Sequence, residues 1–322
     1  MKISVALCTY NGAQFLKEQL DSILNQTQKV DEIVICDDGS TDATINILEN
    51  YSANYPNIFH IYRNKVNLRS VKNFEKAITL CTGDLIFLSD QDDIWVDNKV
   101  EKYVTYFDAN PNIDVLASNG YCIDDNSKVH DKYSIWDVPQ FLKEKQIPFD
   151  YYQIFAVLSH VATGSTMAFK KEILADTVPF PVISGFHHDE WIALLSAKNN
   201  KFELLNEKLY YYRIHSNQQV GGVFFDKREK NKNKYVQIFD LSNTKYSFSA
   251  VKSKIKRLIL AYTKNEMLAN TDTIHTTYFI ENLELIQLEI IKMKHIFQQQ
   301  HPFRYYITLV SDKILKKRQL PF

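Results

Sequence analysis

The sequence predicts an α/β fold with a Rossmann-like, mainly parallel sheet and a helical C-terminal region, and three observations lead there. Strand-like and helix-like runs alternate through the first half of the chain. Polar, carboxylate-bearing clusters close several of those strands. Beyond about residue 225 the alternation gives way to long helical patterns.

The first run, Ile3 to Thr9, is apolar enough for a buried strand, and Phe15, Leu16, Leu20, Ile23 and Leu24 then recur at helical spacing between Gly12 and Gln26. The unit repeats. Ile33 to Cys36 forms a short buried strand, and Ser40-Thr41-Asp42 caps a helix that runs to about Tyr55 with Ile45, Ile47 and Leu48 apolar. A third strand falls near Ile58 to Tyr62 and a third helix over Val71 to Leu80. A fourth strand, Leu85 to Leu88, runs into Ser89-Asp90-Gln91-Asp92-Asp93. Asp114 to Tyr121 is a further strand. The polar and aromatic stretch from Asp124 to Pro148 has no period and reads as loops. His160 to Phe169 is a loop and strand, Lys170 to Ala175 begins a helix, His187 to Ala197 forms another, and Lys201 to Arg213 is strand-like. The basic run Asp226 to Lys234 reads as a surface connection, dividing a domain of residues 1–225 from a helical region of residues 226–322. In that region Val251 to Met267 and Thr276 to Gln298 are helical, and Ile280, Leu283, Leu285, Ile286, Leu288 and Ile291 form a broad packing face. The last segment, Phe303 to Arg318, mixes aromatic, aliphatic and basic residues. It fits either a helix docked on the core or one lying on a membrane surface.

Composition narrows the partners. A chain of 322 residues that is 45% hydrophobic can bury a substantial core. Lys and Arg total 38, as do Asp and Glu, so no global field draws nucleic acid, which is not an expected partner. Cys8, Cys36, Cys81 and Cys122 are widely spaced in apolar stretches and form no C-x-x-C pair; they read as reduced core thiols, not a zinc site. Ile3 to Leu7 is too brief for a signal-peptide core, and no run approaches the ~20 apolar residues of a membrane span. The expected location is the cytoplasm, at the inner face of the cell membrane if the tail lies on it.

In sheets of this class the ligand crevice lies at the carboxyl ends of the strands. Thr9-Tyr10-Asn11, Asp37-Asp38-Gly39-Ser40 and Asp90 to Asp93 fall at three such ends, and their convergence is the main sign of a site. In Asp90-Gln91-Asp92-Asp93, carboxylates two residues apart directly after an apolar strand can face one cation. Hard oxygen donors suit Mn²⁺ or Mg²⁺, which complete their shell with phosphate oxygens and water. The spaced acids, central Gly and final Glu of an EF-hand loop are absent. Asp38 can accept a hydrogen bond from a pyrimidine imide, or serve as a turn residue beside Gly39 and Ser40.

In that order and spacing, Thr9-Tyr10-Asn11-Gly12, Asp37-Asp38-Gly39-Ser40-Thr41-Asp42 and Gly83-Asp84-Leu85-Ile86-Phe87-Leu88-Ser89-Asp90-Gln91-Asp92-Asp93 resemble the family-2 inverting glycosyltransferases, which have the GT-A fold. The resemblance covers about residues 1–222 and is specific only for the motifs together. It implies nucleotide contacts from Thr9, Tyr10 and Asn11, with Asp38 on the pyrimidine. It implies a D-x-D element in which Asp92 ligates the metal, Asp90 meets the ribose or a metal-bound water, and Asp93 is an accessory. Thr163-Gly164-Ser165 resembles the family's glycine loop, which lines the donor sugar and acceptor. Asp189 matches the acidic residue at the head of a helix that acts as catalytic base. His188 stands where many members have Glu, and with Trp191 the motif looks like the His-Asp-x-Trp form common among sequences assigned as rhamnosyltransferases of bacterial polysaccharide synthesis; the resemblance implies donor-sugar or acceptor contacts from Asp93, His188 and Trp191 as well. His187 and His188 either orient Asp189 or face solvent. Tyr212-Arg213-Ile214-His215-Ser216-Asn217 resembles the late Arg-x-His element, in which His215 would add a metal ligand. Many relatives have Gly after Asn67, where this chain has Leu68-Arg69, so Arg69 becomes a candidate phosphate contact.

The implied reaction is inverting, metal-dependent transfer of a sugar from a dTDP- or UDP-sugar, such as dTDP-rhamnose or a UDP-hexose, to a hydroxyl of a glycan or lipid-linked oligosaccharide in bacterial cell-surface polysaccharide synthesis. Two alternatives compete with it. A sugar nucleotidyltransferase usually carries a phosphate loop rich in Gly and Lys or Arg near the N-terminus, which Cys8-Thr9-Tyr10-Asn11-Gly12 lacks. A non-catalytic sugar-nucleotide-binding module would not need a base.

Overall fold

A computed structural model describes residues 1–158, 160–216, 218, 223–272 and 274–314, the last four by backbone alone. Four strands, β1 (Ile3–Thr9), β2 (Glu32–Asp37), β3 (Phe59–Arg63) and β4 (Leu85–Ser89), pair in parallel in the order β3-β2-β1-β4. Nearly every residue of β1, β2 and β4 is buried, so these strands read as unbroken apolar runs and not as alternating ones. The remaining strands are β5 (Ile94–Trp95), β6 (Val115–Ile123), β7 (Val129–His130), β8 (Lys132–Ser134), β9 (Ala168–Lys170), β10 (Phe202–Arg213) and β11 (Phe224–Asp226). The sheet continues from β4 through β9, β6 and β10 to β5. The long strands β6 and β10 are parallel, while the short β9, β5 and β7 pair antiparallel. The result is the expected α/β architecture, with short antiparallel insertions in a sheet whose long strands are parallel.

Helices α1 (Leu16–Leu24), α2 (Thr44–Asn54) and α3 (Arg69–Leu80) follow the strands as the periodicity predicts, and a further helix, α4 (Lys99–Ala109), stands where none was expected. Leu16, Leu20 and Ile23 of α1 are buried at helical spacing, as are Phe74, Ala77 and Ile78 of α3. The N-cap position of α2 is Ala43, and Asp42 just before it accepts the Thr44 N–H at 3.0 Å. The segment from Asp124 to Pro148 departs from the expected loops, because it holds β7, β8 and the helix α5 (Val138–Glu144). Trp136 in that segment is fully buried, edge-on to Tyr210, Tyr212 and Phe224. Strands of two or three residues are too short to carry a period, and β8 finds its partner β11 some 90 residues away.

The chain divides into two compact units. One contains residues 1–137, 162–182 and 187–226; the other contains residues 138–161, 183–186 and 227–322. The first includes the sheet, α7 (Leu174–Thr177) and α8 (His188–Lys198). The second comprises α5, α6 (Tyr151–Val157), α9 (Glu229–Phe239), α10 (Phe248–Thr271), α11 (Thr276–Gln300) and α12 (Pro302–Ile314). The basic run expected as a connection instead enters β11 and α9, which buries Ile238 and Phe239. Inside the second unit Tyr152 donates to Asn282, Asn282 to Asn265, and Asn265 to the Ala156 carbonyl, which ties α6 to the α10–α11 pair. The packing face of α11 also differs from the expected stripe. Ile286 is buried, with Phe279, Ile290, Met293 and Phe297, but Ile280, Leu285, Leu288 and Ile291 are exposed. Among the described residues no helix is long and apolar enough to cross a membrane.

Candidate active site

The loops after β1 and β2 are stitched together by short polar side chains. Thr9 is buried and donates its hydroxyl to Asp37 at 2.9 Å, while Asp37 also accepts the N–H groups of Gly39 and Ser40. Asn11, in the left-handed region at φ +48°, accepts the Thr41 N–H at 2.8 Å and donates its own N–H to Ser40. Tyr10 is 45% exposed at the mouth of this edge. Gln91 clamps its backbone from both sides, accepting the Tyr10 N–H at 2.9 Å and donating to the Tyr10 carbonyl at 3.0 Å. The clamp requires Gly12, because a Cβ there would lie 2.1 Å from the Gln91 amide oxygen. Neither role was legible in the sequence, where Gln91 is only a spacer between acids.

Asp38 is buried and already heavily engaged. Its carboxylate accepts the N–H groups of Leu68 at 2.7 Å and Arg69 at 2.8 Å and the Asn64 amide at 2.8 Å. One oxygen, Oδ2, carries only the Arg69 bond, which leaves it a lone pair for a further donor. Arg69 has φ +61°, a conformation in which glycine is at ease and other residues cost about 1–2 kcal/mol. The backbone N–H of Arg69 bonded to Asp38 holds the loop in this conformation.

At the end of β4 three carboxylates crowd together. Burial, then the charges of Asp92 and Asp189, push Asp90 up to about 7, with Lys99 pulling it back. Asp93 is buried and raised well above the ordinary range by burial and by the neighbouring Asp92 and Asp90. Its Oδ1 accepts the Arg213 N–H at 3.0 Å, while Oδ2 has no hydrogen-bond partner. Asp92 Oδ2 lies 2.8 Å from His215 Nε2, a contact made across 123 residues of sequence. Arg213 holds this arrangement from behind: its side chain is buried, and it donates to the carbonyls of Asp92 and Asp124 and to Glu18 at 2.6 Å.

The residues present fit a divalent cation bound jointly with a phosphate ligand. Asp92 and His215 offer one carboxylate and one imidazole at a single point. Among the described residues no group of three or more His, Cys, Asp or Glu is arranged to hold a metal by itself. One or two carboxylates, with the shell completed by phosphate and water, is the usual arrangement for Mg²⁺ beside a diphosphate; Asp92 supplies one such carboxylate and His215 would add a nitrogen donor. Asn217, at the end of the same motif, lies outside the described residues.

β9 runs antiparallel to β4, so the turn before it, Gly164–Thr166, sits beside the acidic segment. Asp189, near the N-terminus of α8, reaches that turn: its Oδ2 accepts the Gly164 N–H at 2.8 Å and its Oδ1 accepts the Glu190 N–H at 2.9 Å. Both bonds orient the carboxylate. His188 is buried and stacks on Phe74 with ring centroids 4.0 Å apart. A Cβ on Gly164 would lie 2.8 Å from His188 Nε2, so the close approach of turn and helix needs glycine. His188 therefore packs behind Asp189 and does not face solvent, while His187 precedes the helix. Trp191 departs from the expected donor-sugar or acceptor contact: it is 2% exposed, with its indole N–H bonded to the Thr177 carbonyl at 2.8 Å. The four cysteines are free thiols, three of them buried, and burial pushes the Cys36 thiol up to about 11.

Comparison with known proteins agrees with this geometry. Residues 4–177 match the model of "Glycosyl transferase family 2". A dTDP-rhamnosyl transferase of Shigella flexneri, RfbG, is 30% identical over 229 residues, which cover 67% of this chain and 73% of that protein. An uncharacterized glycosyltransferase of Methanocaldococcus jannaschii, MJ1057, is 30% identical over 66% of this chain and 70% of its own. By structure, S. aureus TarS 1-349 in complex with UDP-GlcNAc superposes with a TM-score of 0.56 at 18% identity, covering 94% of this chain and 92% of that one. The mannosyltransferase PcManGT of Pyrobaculum calidifontis, in complex with GDP-Man and Mn²⁺, gives 0.53 at 14% identity, covering 98% and 80%. The matched family model spans more than half of the chain and takes in the β1, β2 and β4 clusters and the Gly164 turn, and the chain belongs to glycosyl transferase family 2, as a glycosyltransferase with the GT-A fold.

Proposed function

We propose that the protein transfers a sugar from a nucleotide diphosphate-sugar to an acceptor hydroxyl with inversion, assisted by Mn²⁺ or Mg²⁺, in the synthesis of a bacterial cell-surface glycan. The observation that carries this reading is Asp189, oriented by two backbone N–H groups at the edge where the acidic segment and the Gly164 turn meet. Asp189 accepts the proton of the acceptor hydroxyl while that oxygen attacks the anomeric carbon. The new C–O bond forms opposite the bond to the diphosphate, whose electron pair leaves with the phosphate oxygen, so one displacement inverts the centre. A divalent cation held by Asp92 and His215 would stabilise the charge on the leaving diphosphate. Thr9, Tyr10, Asn11 and Asp38 line the edge that would receive the nucleotide, and Gly164 and Ser165 the donor sugar and acceptor. The donor proposed is dTDP-rhamnose or a UDP-hexose; RfbG, a relative over two thirds of this chain, is a dTDP-rhamnosyl transferase. A glycan or lipid-linked oligosaccharide is the acceptor proposed.

Incubating the purified protein with Mn²⁺ and a panel of UDP-, dTDP- and GDP-sugars tests the reading, because slow donor hydrolysis needs no acceptor. Release of nucleoside diphosphate from one donor, abolished by EDTA, is the expected result. Formation of nucleoside triphosphate and sugar 1-phosphate from an NDP-sugar when pyrophosphate is added would instead identify a nucleotidyltransferase, and failure of every donor to bind would overturn the reading.

The proposed location is the cytoplasmic face of the membrane. Phe303, Tyr306, Ile307 and Val310 recur at i, i+3, i+4 and i+7 on α12 and are all more than half exposed. The residues beyond it in sequence include Lys316, Lys317 and Arg318. The protein is expected to sediment with phosphatidylglycerol-containing vesicles, and Phe303→Asp to weaken this. Equal recovery in the supernatant with and without vesicles would remove the membrane from the proposal.

A further inference from the structure

Lys99, the first residue of α4, is fully buried; its charge acts on the neighbouring Asp90 and Asp93, and no binding or positioning role above uses it. Its ammonium lies over the Trp95 ring at 4.2 Å and the Tyr210 ring at 5.3 Å and donates one hydrogen bond, to the Ser165 carbonyl at 2.8 Å. One turn further along α4, the buried Tyr103 hydroxyl donates to the next carbonyl, that of Thr166. Two side chains of one helix thus hold successive carbonyls of the Gly164 turn, whose leading N–H in turn holds Asp189 at 2.8 Å.

An ammonium is an expensive way to fill this volume. A buried charge is retained at a net desolvation cost, where a leucine or methionine of similar size would have none. The single direct hydrogen bond made by a group with three donors is directed at the turn. We propose that Lys99 is a positioning residue for the transfer step. It fixes the height of the Gly164 turn, with Tyr103 as its second anchor, and through the Gly164 N–H it sets the orientation of Asp189 toward the acceptor. Since Lys99 reaches the base only through the turn, its loss is expected to lower kcat and to leave donor affinity in place.

This inference rests on the proposed role of Asp189, and its test separates the two. Amide hydrogen exchange of residues 164–167 is measured in the wild type, Lys99→Met and Tyr103→Phe, with no substrate present. The same proteins are assayed for donor turnover and for UDP- or dTDP-sugar affinity by calorimetry. Faster exchange at Gly164 in Lys99→Met, with kcat lowered about ten- to a hundredfold and donor Kd within about twofold, is expected, since misplacement of about 1 Å costs rate on that scale. Tyr103→Phe, which removes one oxygen and keeps the ring, should show the same pattern more weakly. It also serves if Lys99→Met does not fold, as judged by thermal melting. Unchanged exchange at residues 164–167, or loss of donor affinity in step with kcat, would overturn the positioning role. Faster exchange combined with normal turnover would overturn it as well, by separating the turn from the chemistry. If Asp189→Asn is itself fully active, the fault lies with the base assignment, while the exchange data still report whether Lys99 holds the turn.

Discussion

Asp189→Asn is expected to lower sugar transfer by at least about a hundredfold, the scale of general-base catalysis, while the nucleotide-sugar still binds. The substitution keeps the shape of the side chain and removes its ability to take a proton. Its structural cost is moderate. The carboxylate accepts the Gly164 N–H on one oxygen and the Glu190 N–H on the other, and an amide can accept only one of these. The variant therefore loses a hydrogen bond to a charged acceptor, worth about 1.5–3 kcal/mol, which a fall in Tm would report. The measurement that decides is kcat against donor Kd. Near-normal kcat would remove Asp189 from the role of base. A rise in donor Kd with kcat preserved would assign it to donor recognition instead.

Asp92→Ala is expected to abolish the divalent-ion dependence of the reaction and to lower transfer by about 10² to 10³, as when one charge-stabilising group is removed from a reacting site. His215→Ala should act in the same direction, and the double variant should be little worse than either, because the two side chains meet at one point. Calorimetry with Mn²⁺ in the presence of UDP separates a metal role from a purely structural pair. Retained Mn²⁺ affinity in both single variants would exclude the metal site. The neighbouring Asp90 adds a pH signature. Its folded pKa is raised to about 7, so between about 4 and 7 the folded chain holds a proton that the unfolded chain has lost. That contribution to stability is present at low pH and fades as pH rises through this window, where the carboxylates come to repel one another. A cation beside Asp92 relieves that repulsion. Mn²⁺ with UDP should therefore raise Tm more above neutrality than at pH about 5; equal increments would argue against a cation among these acids.

Much of the sheet was legible in the chain, for a physical reason that applies strand by strand. β1, β2 and β4 are covered on both faces, so each leaves an unbroken apolar run, and the helices between them keep their contacts at i, i+3 and i+4. The helices α4 and α6 escaped reading, and so did short strands such as β8, whose partner is remote. β8 has three residues and pairs with β11, so nothing within its own neighbourhood marks it as a strand. Periodicity on α11 identified the helix but not its buried side, because apolar residues surround it and only the packing of α10 selects Ile286 and Ile290 over Leu288 and Ile291. Trp191 was read from its motif as a ligand contact, and lies in the core because α8 is buried on all sides.

By itself the sequence determined the class of fold, the strand ends at which polar residues collect, and the acids available there, since hydrophobic patterning and turn chemistry are local. Tertiary structure alone decided which of these groups meet. It brought His215 to Asp92, Gly164 to Asp189, and Lys99 beneath the Ser165 carbonyl. It also committed Asp38 to the loop at Leu68 and Arg69. The reason is that a polar side chain's partner depends on strand order and register, and a buried donor or acceptor must find one wherever the fold sets it down.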